Sequence, residues 1–188
     1  MGAALLFRTR PRTFNPDLVR PPGALAEDEF LSRCIRCGEC MKACPTNGVH
    51  PAALEAGLEG VWTPVMRMTA GYCEYECKLC SEVCPSGAIR RLEIAEKRTI
   101  KIGLAYIDRN RCLPYAYGRT CIVCEEHCPT PKKAIWLEEV NGIKQPHVDA
   151  SLCIGCGICA NKCVIKAPPA ILIASAGETR NPDNQALL

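Results

Sequence analysis

The run Cys34-Ile35-Arg36-Cys37-Gly38-Glu39-Cys40-Met41-Lys42-Ala43-Cys44-Pro45, called motif 1, contains four cysteines separated by two, two and three residues. Three more groups of four cysteines follow, and the first cysteines of successive groups are 39, 39 and 41 residues apart. They are Cys73, Cys77, Cys80 and Cys84 in motif 2, Cys112, Cys121, Cys124 and Cys128 in motif 3, and Cys153, Cys156, Cys159 and Cys163 in motif 4. An internal repeat of this kind indicates one supersecondary unit used four times.

The spacing of motif 1 is typical of bacterial two-cluster ferredoxins. In that pattern three thiolates hold one iron–sulfur cluster, and the fourth, just before a proline, ligates the neighbouring cluster. The proline ends the short helix that carries the preceding cysteine, because its ring cannot continue a helix. The spacing therefore predicts that all sixteen cysteines are iron ligands and that the chain binds four [4Fe-4S] clusters.

Three other uses of cysteine compete with this interpretation. Cysteines packed this tightly are poor cross-links between distant segments, which disfavours a disulfide framework. Structural zinc sites use pairs of CxxC and have no need of the run that ends in proline. The spacing Cys73-x3-Cys77-x2-Cys80 matches the cluster signature of radical S-adenosylmethionine enzymes. Those enzymes leave one iron without a cysteine, whereas here Cys84 is present and three sibling motifs flank the group.

The composition excludes several classes of protein. Sixteen of the 188 residues are cysteine and only ten are aromatic, so bound metal must supply part of the folding free energy. No apolar stretch approaches the ~20 residues needed to span a bilayer, and the start lacks the pattern of a secretory signal peptide. A cytoplasmic or membrane-associated location is therefore expected, unless the chain is exported with a partner.

The charge of the chain is concentrated near its start. The net charge is +3, residues 1–26 already carry +3, and the remainder sums to zero. Nucleic acid is not an expected partner, because phosphate binding needs clustered Lys and Arg. Residues 1–22 are interpreted as a basic arm, with Arg20-Pro21-Pro22-Gly23 as a linker, and residues 1–20 as a possible peripheral membrane contact. Residues 176–188 are interpreted as a polar tail.

The flanks of the motifs predict an α+β fold built from two ferredoxin-like modules. Short β-rich runs precede and follow motifs 2, 3 and 4. Motif 1 is predicted to have helices there instead, over residues 25–31 and 51–59. Residues 99–107 form a longer β-like run between motifs 2 and 3.

The chain resembles the NapG/MauM-type polyferredoxins over residues 20–175. The resemblance rests on Pro21-Pro22-Gly23-Ala24-Leu25 before an acidic helix and motif 1, on the wide Cys112-x8-Cys121 gap, and on Val164 in place of proline after motif 4. A similar four-cluster region also follows membrane domains of the NapH type. The resemblance implies four [4Fe-4S] clusters that relay electrons between a membrane quinol-oxidising partner and a downstream redox enzyme.

The four motifs must form two reciprocal pairs, because each fourth cysteine ligates the other cluster of its module. Sequential pairing joins motif 1 with 2 and motif 3 with 4. Nested pairing joins 1 with 4 and 2 with 3, as in the iron–sulfur subunits of molybdopterin enzymes, which these motifs resemble. The regular spacing shared by motifs 1 and 4 favours nesting. The nested sites would be Cys34, Cys37 and Cys40 with Cys163; Cys153, Cys156 and Cys159 with Cys44; Cys73, Cys77 and Cys80 with Cys128; and Cys112, Cys121 and Cys124 with Cys84. Nesting predicts an outer module of residues 23–62 plus 143–175 and an inner module of residues 63–142.

The motifs indicate electron transfer and no chemistry on a substrate, since the chain has neither a catalytic constellation nor a nucleotide-binding loop. Two other hypotheses remain: an iron–sulfur subunit permanently docked in a larger oxidoreductase, such as a molybdopterin enzyme, and a structural or assembly factor. Counting charged side chains gives +1 for residues 34–44 and 153–163, −2 for 73–84 and −1 for 112–128. By charge alone, the clusters of motifs 1 and 4 are expected to reduce first.

Overall fold

A computed structural model describes residues 15–181 as an α+β protein of short elements. Helices α1 to α8 span Glu27–Arg33, Glu39–Lys42, Gly57–Gly60, Leu79–Glu82, Ile94–Lys97, Leu113–Tyr117, Val123–Glu126 and Ile158–Lys162. Strands β1 to β6 span Val49–Pro51, Pro64–Met66, Leu104–Ile107, Ile135–Val140, Ile143–Val148 and Ile171–Ala174, and a 3-10 turn covers Leu54–Ala56. Within residues 15–181, no helix has the length and apolar character to cross a bilayer. Most of the expected basic arm and of the polar tail lies outside the described range.

Motifs 1 and 2 form one structural unit. Strand β1 follows motif 1 and pairs antiparallel with β2, which precedes motif 2, so that Val49 lies opposite Met66. On the other side, Ala24 before motif 1 forms an antiparallel bridge with Ile89 after motif 2. The segment after motif 1 thus pairs with the segment before motif 2, and the segment before motif 1 pairs with the segment after motif 2.

Motifs 3 and 4 repeat this arrangement. Strand β3, before motif 3, pairs antiparallel with β6, after motif 4. Strands β4 and β5, which connect the two motifs, form an antiparallel hairpin. Its turn residues Asn141 and Gly142 both have positive φ, 54° and 79°, as the two-residue turns that match strand twist require.

The nested pairing favoured by the sequence is therefore wrong. The strand pairs join motif 1 with 2 and motif 3 with 4, and the outer and inner modules that depended on nesting are replaced by two sequential units. Within residues 99–107, the strand is limited to β3, which pairs with β6 beyond motif 4. Ile100 and Ile102, before it, are buried in the core around motifs 1 and 2. Cysteine spacing reflects the local loop, whereas the pairing of motifs is decided by strand contacts between distant segments.

Two local expectations near motif 1 are also corrected. The helix expected over residues 51–59 is replaced by β1, the 3-10 turn and the single-turn helix α3, so motif 1 keeps a strand after it. The expected linker is part of the core, because Arg20 is 1% exposed and Pro21 is fully buried. The Arg20 guanidinium donates to Thr63 Oγ1 at 2.7 Å and pairs with Glu27 at 2.5 Å.

The two units meet at motif 4. The hydrophobic core around motifs 1 and 2 also contains Ile154, Cys156, Ile158 and Ala160. The Cys73 N–H donates to the Cys156 carbonyl oxygen at 2.8 Å. A second close approach, between Gly155 and Gly103, requires a glycine at position 155, where φ is +72° and a Cβ would lie 2.5 Å from the Gly103 carbonyl oxygen.

Candidate metal centres

The sixteen cysteines gather into four sets, each with three members from one motif and the fourth from the paired motif. Apolar cavities lined by four cysteines define three sets. The remaining set consists of the four cysteines that line none of these three cavities. Within it, the charges of Cys73, Cys77 and Cys44 act on Cys80, as does that of Cys40 in the adjacent set. Site 1 contains Cys34, Cys37, Cys40 and Cys84; site 2 contains Cys73, Cys77, Cys80 and Cys44; site 3 contains Cys112, Cys121, Cys124 and Cys163; and site 4 contains Cys153, Cys156, Cys159 and Cys128.

Every cysteine predicted from the sequence is thus brought into a site, but each fourth member differs from the nested prediction. Cys84 and not Cys163 completes site 1, and Cys44 and not Cys128 completes site 2. In the same way, Cys163 and not Cys84 completes site 3, and Cys128 and not Cys44 completes site 4.

The local backbone places the thiols in the same manner in each motif. The third cysteine lies on a helix of one turn, which is α2, α4, α7 or α8. In motifs 1 and 4 this helix begins after Gly38 and Gly157, both with φ of +78°. The left-handed conformation, which glycine adopts without a steric penalty, turns the loop of the first two cysteines back over the helix. The fourth cysteine follows the helix and points toward the paired motif.

Burial makes these thiols resist ionisation in the absence of a cation. Burial, together with the neighbouring Cys34, Cys37 and Cys84, raises the pKa of Cys40 to about 12. In site 3, burial raises the pKa of Cys112 to about 11, with Cys121 and Cys163 adding to the effect. A buried group of four thiolates is therefore stable only around a bound centre that carries positive charge.

The arrangement of the donors discriminates between kinds of centre. All sixteen cysteines are free thiols, with no disulfide. Over residues 15–181, no group of three or more His, Cys, Asp or Glu side chains is arranged around a single ion. The thiols instead surround cavities, which disfavours tetrahedral zinc and fits a polynuclear iron–sulfur cluster with one cysteine per iron. Iron–sulfur clusters therefore suit these residues.

Main-chain and hydroxyl groups contact the sulfur of the fourth cysteines. The N–H of Ile89 donates to Cys84 Sγ at 3.4 Å, and the N–H of Gly48 donates to Cys44 Sγ at 3.2 Å. Although burial opposes the change, the hydrogen bonds from Ile89 and Ser86 lower the pKa of Cys84. Donors of this kind stabilise negative charge on the sulfur and so adjust cluster potential.

Hydroxyl groups also lie near these sulfurs, and they are not among the residues predicted from the sequence. Thr130 Oγ1 lies 3.3 Å from Cys128 Sγ and also accepts the Ala134 N–H, which leaves its hydrogen for the sulfur. The signal that would have revealed them is Cys-Pro-Ser/Thr, which ends motifs 1, 2 and 3. Motif 4 has Val164 and Ile165 instead, so Cys163 in site 3 has no equivalent hydroxyl. In motif 1 the hydroxyl of Thr46 donates to the Tyr72 carbonyl oxygen.

The contacts between sites give them an order. Sites 1 and 2 share motifs 1 and 2, and sites 3 and 4 share motifs 3 and 4. The Cys73–Cys156 hydrogen bond brings site 2 against site 4. Cys37 in site 1 is exposed, the cysteines of site 3 are half-buried, and Cys153, Cys156 and Cys159 in site 4 are buried. The sites therefore follow one another in a line, in the order site 1, site 2, site 4, site 3.

Comparison with known proteins agrees with the sequential units. The family described as "4Fe-4S dicluster domain" matches residues 33–88, which contain motifs 1 and 2. The family described as "4Fe-4S binding domain" matches residues 146–163, which contain motif 4.

Several characterised proteins are similar over most of the chain. The ferredoxin-type protein NapG of Escherichia coli (strain K12) is 36% identical over 177 residues, covering 89% of this chain and 75% of the relative. The methylamine utilization ferredoxin-type protein MauM of Methylorubrum extorquens is 36% identical over 184 residues, covering 90% and 80%. The ferredoxin-type protein NapF of E. coli is 30% identical over 149 residues, covering 79% and 82%. With four sets of cysteines suited to iron–sulfur clusters and this similarity, the chain belongs to the family of NapG- and MauM-type ferredoxin-type proteins, which transfer electrons through [4Fe-4S] clusters.

Proposed function

We propose that this protein relays electrons through four [4Fe-4S] clusters in the order site 1, site 2, site 4, site 3. The sixteen thiols would hold the clusters, and each bound cluster supplies a centre that accepts and releases one electron. The observation that carries the proposal is the hydrogen bond between Cys73 and Cys156, which places the two units in contact through their inner sites.

The ends of this line are suited to exchange electrons with other redox proteins. At site 1, the exposed Cys37 lies beside Ile35, which is 64% exposed. Arg36 donates to the carbonyl oxygens of Val61 at 3.0 Å and Glu59 at 2.6 Å, so the segment that carries the exposed Trp62 is fixed next to this loop. A partner can therefore approach site 1 without a rearrangement of the chain.

Site 3 offers the second end. Ile122, next to Cys121, is 38% exposed, and Val164, next to Cys163, is 51% exposed. The inner sites 2 and 4 are more buried, which restricts direct exchange in the middle of the line. The proposed partners are a membrane quinol-oxidising subunit at one end and a downstream oxidoreductase at the other.

The number of clusters is tested by metal analysis of the anaerobically purified protein. Four complete cysteine sets should bind about 16 iron and about 16 acid-labile sulfide per chain. The broad absorption of the clusters should bleach with dithionite. Two to four zinc ions without sulfide would refute the proposal, and clusters that do not respond to dithionite would indicate a structural role.

The order of the sites is tested by electron paramagnetic resonance (EPR) of the fully reduced protein, because neighbouring paramagnetic clusters broaden one another's signals. Cys159→Ala, which removes a ligand of site 4, should leave the site 3 signal narrow and uncoupled, while sites 1 and 2 stay coupled. As the matched control, Cys112→Ala removes a ligand of the terminal site 3 and should leave three coupled clusters. A site 3 signal that stays coupled in Cys159→Ala would show a different order.

Gel filtration of the tagged chain from its native host distinguishes a mobile relay from a docked subunit. A relay should elute at its own size after moderate salt. Elution in constant proportion with a larger oxidoreductase through high salt would identify it as a permanent iron–sulfur subunit.

A further inference from the structure

Lys97, the last residue of α5, has a buried ammonium group beside site 2. The residue is 2% exposed, although lysine is almost never fully buried unless it is paired. Within residues 15–181, no carboxylate forms an ion pair with it; its acceptors are the carbonyl oxygens of Glu74 at 2.5 Å and Tyr75 at 2.9 Å. The ammonium also lies 5.7 Å from the centre of the Tyr75 ring. Its charge is thus held by neutral groups in the interior.

The loop that receives Lys97 is the one-residue expansion that distinguishes motif 2. Three residues separate Cys73 from Cys77, whereas two separate the first cysteines of motifs 1 and 4. The carbonyl groups of Glu74 and Tyr75, both in this expanded loop, turn toward the ammonium. These two contacts hold the ammonium within the loop that joins Cys73 to Cys77. Burial raises the pKa of Cys73, and the charge of Lys97 opposes that rise.

Two other cations near the sites, both within residues 15–181, are held differently. In the loop of site 1, Arg36 is exposed and donates away from the thiols, to the segment of Val61. Near site 4, Lys101 is only half-buried, and its ammonium donates to the Ala150 carbonyl oxygen at 2.8 Å. The acidic side chains close to site 2 are screened by surface partners, since Glu76 pairs with Arg98 and Glu82 with Lys78.

We propose that Lys97 is a positioning residue that raises the reduction potential of site 2 through its buried charge, which the loop between Cys73 and Cys77 holds beside the site. This inference rests on the proposed binding of a [4Fe-4S] cluster at site 2. Reduction adds one electron from the donor, makes and breaks no bond, and leaves the ammonium protonated. The added negative charge is stabilised by the nearby cation, and more strongly in the interior than at an exposed site, because the effective dielectric constant is lower there. Site 2 then holds an electron more readily than the local charge count of −2 suggests.

The experiment is an anaerobic redox titration of the four-cluster protein, followed by EPR and visible absorption, with Lys97→Met, Lys97→Arg and the matched control Arg98→Met. Arg98 follows Lys97 and donates to Glu76 on the same loop, but its side chain is 46% exposed. Lys97→Met should lower one midpoint potential and leave the other three unchanged. Lys97→Arg, which keeps the positive charge, should leave that potential close to the wild-type value. Arg98→Met should change it by much less than Lys97→Met does, because the side chain of Arg98 is half exposed to solvent. The signal of site 2 is identified as the one lost in Cys77→Ala.

A fully loaded Lys97→Met protein with four unchanged potentials would overturn the inference. If Lys97→Met fails to load site 2, Lys97→Gln, which keeps a donor for the carbonyl groups without the charge, takes its place. Loss of the cluster in both variants, with Arg98→Met intact, would also overturn the inference, because Lys97 would then be required for folding alone. Failure of the proposed function is distinguishable, since it would appear in the wild-type protein as too little iron or no response to reduction.

Discussion

Cys84→Ala is expected to remove the same cluster as Cys37→Ala, although the two cysteines belong to different motifs. Both line the cavity of site 1. Each single variant should reduce the iron content from about 16 to about 12 per chain, because one [4Fe-4S] cluster is lost. The double variant Cys37→Ala/Cys84→Ala should also retain about 12, since both changes affect one site. By contrast, Cys37→Ala/Cys163→Ala affects sites 1 and 3 and should retain about 8 iron.

The assay is iron and acid-labile sulfide per mole of protein after anaerobic reconstitution, with the integrated EPR intensity of the reduced protein measured in parallel. The EPR measurement is needed because loss of one thiolate can leave a cluster with three irons. The pair Cys77→Ala/Cys44→Ala provides the matched control, since both residues belong to site 2. If Cys37→Ala/Cys163→Ala retained about 12 iron and Cys37→Ala/Cys84→Ala retained about 8, the nested arrangement would be correct and the sequential one refuted.

Three further outcomes are expected. Arg20→Met should lower the free energy of unfolding by about 1–3 kcal/mol, because the buried Thr63 hydroxyl and Pro64 carbonyl oxygen lose their donor while Glu27 keeps its pair with Arg180; urea unfolding followed by cluster absorbance measures the change, and Arg33→Met, which removes an exposed pair, should alter it by less than about 1 kcal/mol. Thr130→Val should lower the midpoint potential of site 4 alone, because it removes a hydroxyl 3.3 Å from Cys128 Sγ; four unchanged potentials would show that the hydroxyl has no such effect. Removal of the clusters by a chelator and an oxidant should abolish the native circular dichroism and the protease resistance, since folding and metal binding are coupled, and reconstitution should restore both; an apo chain that keeps its native spectrum would contradict this.

The elements around motifs 3 and 4 were predictable because their signals are local. The short β-rich runs expected after motifs 3 and 4 correspond to β4 and β6. Cysteine spacing likewise predicted the groups of thiols that the structure brings together, three from each motif. Both signals depend only on neighbours in the sequence, and the three-dimensional structure preserves them.

The pairing of motifs was not predictable from cysteine spacing. The number of residues between two cysteines depends on what the loop between them encloses or contacts. The three-residue gap after Cys73 surrounds the ammonium of Lys97, which comes from a helix about twenty residues later. The eight-residue gap after Cys112 contains α6, where Tyr115 donates to the Pro146 carbonyl oxygen on β5. The burial of Arg20 was likewise not predictable from its neighbours in the sequence, which indicate a basic arm. Its guanidinium is held by Thr63, 43 residues away.

Sequential pairing also affects how the chain is made. The ligands of sites 1 and 2 are complete once Cys84 has been synthesised, whereas Cys163 lies 79 residues further along. Translation proceeds at about 5–20 residues per second, so under nested pairing motif 1 would wait about 4–16 s longer for its fourth ligand, Cys163. During that interval Cys34, Cys37 and Cys40 would have been open to oxidation on the ribosome. Pairing neighbouring motifs shortens this exposure and allows the cell to load clusters in two successive pairs, the first before the second half of the protein exists.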